Sequence, residues 1–445
     1  MTCNSAGSYN GILFDADHSH VTLKPLERYG TASVPSSKSI AHRLLICAAL
    51  SQNETKLILN GCSEDIDATA GCLKSMGALI EKTVDGGRTI LSVRPIRKSA
   101  DAGKVSLDVK ESGSTYRFLL PVACALGIDV GFILRGRLPE RPVKPLLDAL
   151  TGAGASISVS DNVVSVSGRI KPGTYRIPGN ISSQFISGLL FALPLLDGDS
   201  NIVIGGNVES RHYIEMTESV LHESGIVIRR LPDGYFVPGG QQYHMSGLKN
   251  VETDWSGAAF MLCTGVLSRK GVTVKNLNMN STQGDKKIVD LLRAFGAGVE
   301  IDIDGRVKVY RKELKGMEID ASEIPDLVPV LSVVAAFAEG ETRITNAGRL
   351  RLKESDRIES TLEMINSLGG SAAATNDGLV IYGRKELSGG SVRSCEDHRI
   401  AMSAAVASLG TTGDVTIDSP GCVSKSFPSF WDVFGRELSA DNIRR

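Results

Sequence analysis

The sequence predicts an α/β protein of two similar domains, each built from three copies of one small unit. Three observations lead there. The chain has 445 residues, too many for one hydrophobic core and natural for two domains. A short pattern recurs along it: an apolar residue, three residues, a glycine, then an alternating apolar segment. Polar clusters precede apolar, helical-looking runs at a constant phase to that pattern.

The pattern appears as LKSMGALIEK at Gly77, LTGAGASISV at Gly154 and LHESGIVIRR at Gly225. It returns as LRAFGAGVEIDI at Gly296, INSLGGSAAA at Gly369 and, more faintly, WDVFGREL at Gly435. Successive glycines are 77, 71, 71, 73 and 66 residues apart. Each instance predicts a helix closed by a glycine C-cap and followed by a strand. Such regularity marks a repeat, and the period suits a small α/β unit of two helices and about four strands, repeated six times. The sixth helix runs into the C-terminus with no room for its strand, so VTLKPLE from Val21 is expected to supply it. Three units per domain then gives one domain over 36–250 and a second from 1–35 plus 251–445.

Composition bounds the function. Apolar residues make up 42% and charged residues 22%, as in an ordinary globular protein. A formal charge of −1 gives no general attraction to nucleic acid or an acidic membrane, so any cationic site is a local concentration. The eight cysteines show no metal-ligand spacing, and most lie in apolar runs such as LLICAAL and PVACAL, which suits a reducing compartment. The N-terminus lacks the pattern of a signal peptide, and no apolar run reaches the length of a membrane span. A cytoplasmic protein is expected.

The polar clusters fall into two sets. About 36 to 43 residues before each closing glycine lie Lys38-Ser39, Gly113-Ser114, Ser182-Ser183-Gln184, Asp254-Ser256, Asp326 and Asp397-His398-Arg399. About 10 to 16 residues before it lie Arg141, Ser210 with Tyr213, Lys353 to Arg357, and Lys425. In a repeated unit equal phase means equal location, so helix N-termini bearing cations and hydroxyls should share one side of each domain. Two such faces would form a cleft for polyanionic small molecules, since helix N-termini already favour anions.

Pro35-Ser36-Ser37-Lys38-Ser39 opens an apolar helix, with Ser39 and Arg43 on one face. Lys353-Glu354-Ser355-Asp356-Arg357 is expected to open another, whose blandest version is a solvated, salt-bridged helix start. Gly113 allows close backbone approach to a ligand. Asp326, after a proline in apolar surroundings, is either a simple N-cap or a base with a perturbed pKa. His398 is expected to be structural, with Arg399 better placed for an anion. The P-loop, dinucleotide fingerprint, zincin and nucleophile-elbow motifs are missing.

PSSKSIAHR, ESGSTYR, ERPVKPLLDAL, ISSQF, IPD, LRLKESDR, EDHRIAM and SKSFPSFW occur in an order and spacing that resemble the 5-enolpyruvylshikimate-3-phosphate (EPSP) synthase family, from about Val21 to Phe434. The resemblance implies two domains of three βαβαββ units, an inside-out α/β barrel pair, with the active site in the cleft between them. It implies transfer of the carboxyvinyl group of phosphoenolpyruvate to the 5-hydroxyl of shikimate-3-phosphate, releasing phosphate, in aromatic amino acid biosynthesis.

By the same resemblance Lys38, Asp326 and Glu354 are catalytic, Asp326 near the attacked hydroxyl and Glu354 near C3. Lys38, Gly113, Arg141, Gln184, Arg357, Arg399 and Lys425 would contact phosphoenolpyruvate. Lys38, Ser39, Arg43, Ser182, Ser183, Gln184, Ser210, Tyr213, Asp326 and Lys353 would contact shikimate-3-phosphate. The first domain would mainly bind shikimate-3-phosphate, and no metal or organic cofactor is implied. A monomer is expected, closing on ligand because like charges facing one cleft repel.

Ser36, Glu111-Ser112 and Arg349 depart from the family pattern, and neither Glu111 nor Arg349 is given a role. The first nineteen residues lie outside the resemblance, and disorder is the expectation there. Retained Gly113 implies sensitivity to glyphosate, which occupies the phosphoenolpyruvate site in the family. The nearest rival is UDP-N-acetylglucosamine enolpyruvyl transferase, which has Lys-Asn at the first helix and a cysteine loop before Arg-Pro. Here Lys38-Ser39 and RGRLPE stand in those places. A non-catalytic anion-binding protein on the same repeat is the rival of another class.

Overall fold

The computed structural model describes residues 9–97 and 103–442. The chain divides into two compact units, Ser36–Val251 and the residues before and after it.

The described residues of Ser36–Val251 contain six α-helices: α1 (Lys38–Leu50), α2 (Glu64–Ser75), α3 (Gly113–Leu126), α4 (Lys144–Gly152), α5 (Ser183–Ala192) and α6 (Arg211–Glu223). Three four-stranded sheets accompany them. In the second repeat Val105–Lys110 runs parallel to Val130–Leu134, with α3 as the crossover. Helix α4 then leads to the hairpin Ser156–Ser160 and Val163–Ser167, which completes the sheet. The third repeat repeats this arrangement from Thr174–Pro178 to Gly234–Val237. Helices α1, α3 and α5 are buried nearly all round, which makes them the core. The sheets bury one face each, as the alternation in Arg88–Arg94 shows. Small residues let these helices approach closely: a Cβ on Gly188 would lie 2.3 Å from the Arg117 carbonyl oxygen.

The other unit carries α7 (Trp255–Val266), α8 (Ile288–Phe295), α9 (Val328–Ala336), α10 (Arg357–Ser367) and α11 (His398–Ala407), and the short helix Phe430–Asp432. Its three sheets follow the same order, with two exchanges of strands. Leu26–Ala32 directly precedes α1 in the chain but pairs in parallel with Val272–Val274. Gly247–Asn250 directly precedes α7 but pairs in parallel with Thr55–Leu59. The chain therefore crosses between units twice, each time between the first strand and first helix of a repeat.

Five of the six repeat glycines have the positive φ expected of a helix-terminating residue: Gly77, Gly154, Gly225, Gly296 and Gly369. Gly435 does not. It lies inside a wide turn, Val433–Glu437, where a Cβ would come within 2.4 Å of the Tyr9 ring and 2.6 Å of Ile12. Its glycine serves packing. A strand does follow the sixth helix: Ser439–Asn442 pairs antiparallel with Leu26–Ala32, on an edge where the other five sheets have no further strand among the described residues. The sixth sheet is completed from the N-terminus, His20–Leu23 pairing with Val415–Asp418 and Ile12–Phe14 with His20–Leu23. Residues 9–19 are thus ordered, against expectation, because Ile12 is a fully buried member of the core. Residues 1–8 lie outside the described residues. No helix among those described is long and apolar enough to cross a membrane.

Candidate active site

Within Ser36–Val251 the expected residues gather at the N-terminal ends of the helices. Ser37 caps α1, its hydroxyl accepting from the Ile40 N–H. Lys38, on the first turn, donates to Asp65 Oδ2 at 2.8 Å, in the first turn of α2. Arg43 is buried: Nε donates to Thr217 Oγ1 at 2.8 Å, and its Nη atoms donate to the Ser39 and Tyr213 carbonyls at 2.6 and 2.7 Å. Burial pulls its pKa down to about 10. Arg43 is therefore a pin between α1 and α6 as well as a candidate ligand contact.

Ser112 caps α3, and Gly113 opens it. A Cβ there would stand 2.7 Å from Arg117 Nη1 and 3.2 Å from both Nη atoms of Arg141, so two guanidinium groups crowd this backbone. Arg117 also donates to Gln184 Oε1 at 2.9 Å and to the Pro142 carbonyl at 3.0 Å. The Gln184 amide donates in turn to Ser114 Oγ at 2.9 Å. Ser182 caps α5 through the Gln184 N–H, and Ser183 is buried beside it. Ser210, ahead of α6, has φ 51° and ψ 48°, a left-handed conformation that costs a non-glycine residue about 1–2 kcal/mol. Arg117 is a member that sequence reasoning missed. It ends the quoted ESGSTYR motif, but its contact with Gln184 spans 67 residues.

The second set lies in the other unit. Lys353 and Glu354 do not open α10. The helix starts at Arg357 with Asp356 as N-cap, after the tight turn Gly348–Leu352. Arg357 is only 1% exposed and makes four hydrogen bonds to three carboxylates. Nη1 donates to Asp326 Oδ1 at 2.7 Å and Nη2 to Glu354 Oε2 at 2.7 Å. Nε donates to Asp397 Oδ2 at 2.8 Å, and Nη2 to Asp397 Oδ1 at 3.3 Å. Burial alone would weaken the proton's hold, but the three carboxylates keep the pKa of Arg357 above its usual value. The solvated helix start is thus replaced by a buried charge cluster.

Asp326 sits in the short turn Pro325–Leu327 ahead of α9. Lys353 Nζ approaches its Oδ1 at 3.8 Å, and Arg399 Nη2 its Oδ2 at 3.4 Å. Arg399 Nη1 also donates to the Asp326 carbonyl at 3.0 Å. Burial pushes the Lys353 ammonium down to about 8 against the pull of Asp326, with Arg357 and Arg349 adding to the depression. Arg349 donates to the Ser322 carbonyl at 2.6 Å. Lys425 donates to the Glu396 carbonyl at 2.9 Å.

Asp397 is the second missed residue. It caps α11 through the Arg399 N–H at 2.9 Å and accepts from Ser355 Oγ at 3.0 Å. Burial opposes its ionisation, but the Arg357 charge overrides that and lowers its pKa. Asp397 was read only as a polar residue ahead of a helix, and only its distance to Arg357, 40 residues away in sequence, reveals more. Three carboxylates thus balance Lys353, Arg357 and Arg399 here. The like-charge repulsion expected of an empty site is largely compensated within this unit. No cluster of metal-ligating side chains is present among the described residues.

Six βαβαββ units in two sets of three, with anion-suited groups at their helix N-termini, define the enolpyruvyl transferase fold. The structure superimposes on the enolpyruvyl transferase NikO from Streptomyces tendae with a TM-score of 0.74 over 94% of this chain and 97% of that one, at 17% identity. It matches EPSP synthase from Acinetobacter baumannii with a TM-score of 0.76 over 95% and 100%, at 26% identity. The profile of EPSP synthase (3-phosphoshikimate 1-carboxyvinyltransferase) covers residues 24–434. The 3-phosphoshikimate 1-carboxyvinyltransferase of Clostridium acetobutylicum is 41% identical over 95% of this chain and 97% of its own length. That of Brachyspira hyodysenteriae is 37% identical over 93% and 97%. The chain belongs to the EPSP synthase family, and the expected fold class and transferase activity are borne out.

Proposed function

We propose that the protein transfers the carboxyvinyl group of phosphoenolpyruvate to the 5-hydroxyl of shikimate-3-phosphate, and that the residues described above carry out the reaction. The hydroxyl oxygen bonds to C2 as a proton adds to C3. The C2–O bond to phosphate then breaks, C3 loses a proton, and phosphate leaves. Such chemistry needs a base, an acid and cations for the phosphate and carboxylate groups. Asp326 takes the hydroxyl proton, Glu354 serves C3, and Lys38 acts as acid/base or electrostatic stabiliser. Arg141, Arg357, Arg399 and Lys425 bind phosphoenolpyruvate, with Gly113 and Gln184 beside it. Ser39, Arg43, Ser182, Ser183, Ser210, Tyr213 and Lys353 bind shikimate-3-phosphate. Both sets serve one pair of substrates.

The observation that carries this reading is the Arg357 bridge. One guanidinium holds the Asp326 and Glu354 carboxylates on separate nitrogens, so both groups are presented at a fixed separation. A mere anion-binding protein would not need two carboxylates among its cations. The reading includes a cytosolic location, which the free thiols of the seven described cysteines suit, and a monomer.

The test is phosphate release from phosphoenolpyruvate with shikimate-3-phosphate or UDP-N-acetylglucosamine as acceptor. Asp326→Asn is preferred to alanine, which would leave Lys353, Arg357 and Arg399 facing a gap. Release should require shikimate-3-phosphate, and the variant should lose at least about 100-fold in kcat while shikimate-3-phosphate binding by calorimetry stays within a few-fold. Release only with the sugar nucleotide, or an unimpaired variant, would refute the assignment.

A further inference from the structure

Four polar side chains with no exposed surface, His42, Thr69, Thr115 and Ser112, form one chain among the helices of Ser36–Val251. His42 Nδ1 on α1 lies 2.7 Å from Thr69 Oγ1 on α2. Thr69 Oγ1 lies 2.6 Å from Thr115 Oγ1 on α3, and Thr115 Oγ1 lies 2.7 Å from Ser112 Oγ, the cap of α3. Burial first, then the charges of Lys38 and Arg43, push the His42 pKa well below its usual value. The ring is neutral and has one N–H.

The direction of the chain follows from its end. Ser112 Oγ accepts from the Thr115 N–H at 3.2 Å and from the Thr115 hydroxyl. Thr115 Oγ1 must then accept from Thr69, and Thr69 from the His42 Nδ1–H. Each link uses the single proton its donor has, so the chain has one consistent polarity. Apolar side chains could fill this space without the desolvation these groups suffer. What hydrogen bonds add is a fixed length between α1, α2 and α3.

The chain adjoins groups named above at its middle and at its Ser112 end. Thr69 and Thr115 Oγ1 lie 3.4 and 3.5 Å from the Asp65 carbonyl, and the Asp65 carboxylate holds Lys38. The residue after Ser112 is Gly113, where an added Cβ would stand 2.7 Å from Arg117 Nη1 and 3.2 Å from both Arg141 Nη atoms. We propose that the His42–Thr69–Thr115–Ser112 chain is a positioning device that registers Lys38 on α1 with Gly113 on α3 for phosphoenolpyruvate. This rests on the functional reading above and gives a role to four residues that it leaves unused.

The experiment compares the wild-type chain with Thr115→Val, Thr69→Val, the double variant and Thr115→Ser. KM for each substrate, kcat and thermal midpoint are measured for all. Each valine keeps the shape and removes two of the three links. Each should lower kcat/KM for phosphoenolpyruvate about 10-fold and raise KM for shikimate-3-phosphate by only about 2-fold, because Ser39 and Arg43 share α1 with the chain while Ser182, Ser183, Ser210, Tyr213 and Lys353 lie off it. Because both cut the same chain, the double variant should be hardly worse than either single one, and Thr115→Ser should restore wild-type values. A lowered midpoint with unchanged kcat/KM for phosphoenolpyruvate would overturn the proposal, as would multiplying effects in the double variant. Should one valine variant fail to fold, the other decides by the substrate split alone. A wild-type chain that releases no phosphate with shikimate-3-phosphate would instead defeat the functional reading, so the two failures are distinct.

Discussion

Replacing Asp397 by asparagine tests whether the charge cluster around Arg357 is a working part of the site. Each Asp397 oxygen accepts twice. Oδ1 takes the Arg399 N–H and Arg357 Nη2, and Oδ2 takes Ser355 Oγ and Arg357 Nε. Whichever way the asparagine amide turns, its NH2 group displaces an oxygen that accepted two hydrogen bonds, one of them from a guanidinium. Losing one neutral and one charge-assisted bond costs about 3 kcal/mol. In a domain of 150–250 residues that corresponds to roughly 6–12 °C in Tm. Asp326 and Glu354 keep their bonds to Arg357, but the guanidinium loses its rear brace, so kcat should fall about 100-fold.

The pH dependence adds a second check. Asp397 has a folded pKa below its ordinary 3.8. A carboxyl of this kind stabilises the fold above its unfolded pKa, and the contribution is lost as pH falls through the folded value. Thermal scans of both proteins should therefore differ by a constant gap above about pH 5 that narrows below about pH 4. A variant with wild-type Tm and kcat at pH 7 would show that Arg357 does not depend on Asp397, and the reasoning would fail.

Two further expectations concern single groups. Because burial holds Lys353 at about 8, kcat/KM for shikimate-3-phosphate should fall as pH rises through that value, and Lys353→Arg should move the fall to higher pH. A profile flat to about pH 10 would refute the link between this ammonium and the substrate. Gly113→Ala places a Cβ 2.7 Å from Arg117 Nη1, so the guanidinium must move. KM for phosphoenolpyruvate should rise about 10-fold with the fold intact. The unaltered chain should be inhibited by glyphosate in competition with phosphoenolpyruvate, and turnover undiminished at saturating inhibitor would count against that.

What could be read from the sequence was local or periodic. The cap glycines at 77, 154, 225, 296 and 369 were legible because a left-handed residue after a helix is set by its own backbone. Gly435 was misread because its reason is Tyr9 and Ile12, over 400 residues away in the chain. The N-terminal contribution to the sixth sheet was legible from the missing strand, but the added edge strand Ser439–Asn442 was not, since four residues carry little pattern. Asp397 and Arg117 were hidden for a related reason. An aspartate ahead of an apolar helix looks like a cap whether or not it also grips an arginine. The relay from His42 to Ser112 has no signature at all, because threonine and histidine within apolar helices show no period that distinguishes a bonded hydroxyl from a tolerated one.

The common phase of the polar clusters has a structural cause. In the first repeat Lys38, at the start of α1, meets Asp65 at the start of α2. In the fourth, Ser256 on α7 meets Asp285 in the turn ahead of α8. In the fifth, Asp326 ahead of α9 meets Arg357, the first residue of α10. The fold provides one slot between the leading ends of a repeat's two helices, and the chain fills it with a cation and an acid, a hydroxyl and an acid, or an acid and a cation. Backbone geometry therefore decides where polar groups stand, and residue identity decides their sign. Where the second partner is an arginine, the slot recruits a third and fourth residue, because a guanidinium has enough N–H groups to hold Asp326, Glu354 and Asp397 together. That surplus of donors converts a structural pair, repeated along the chain, into a buried cluster that presents two carboxylates side by side.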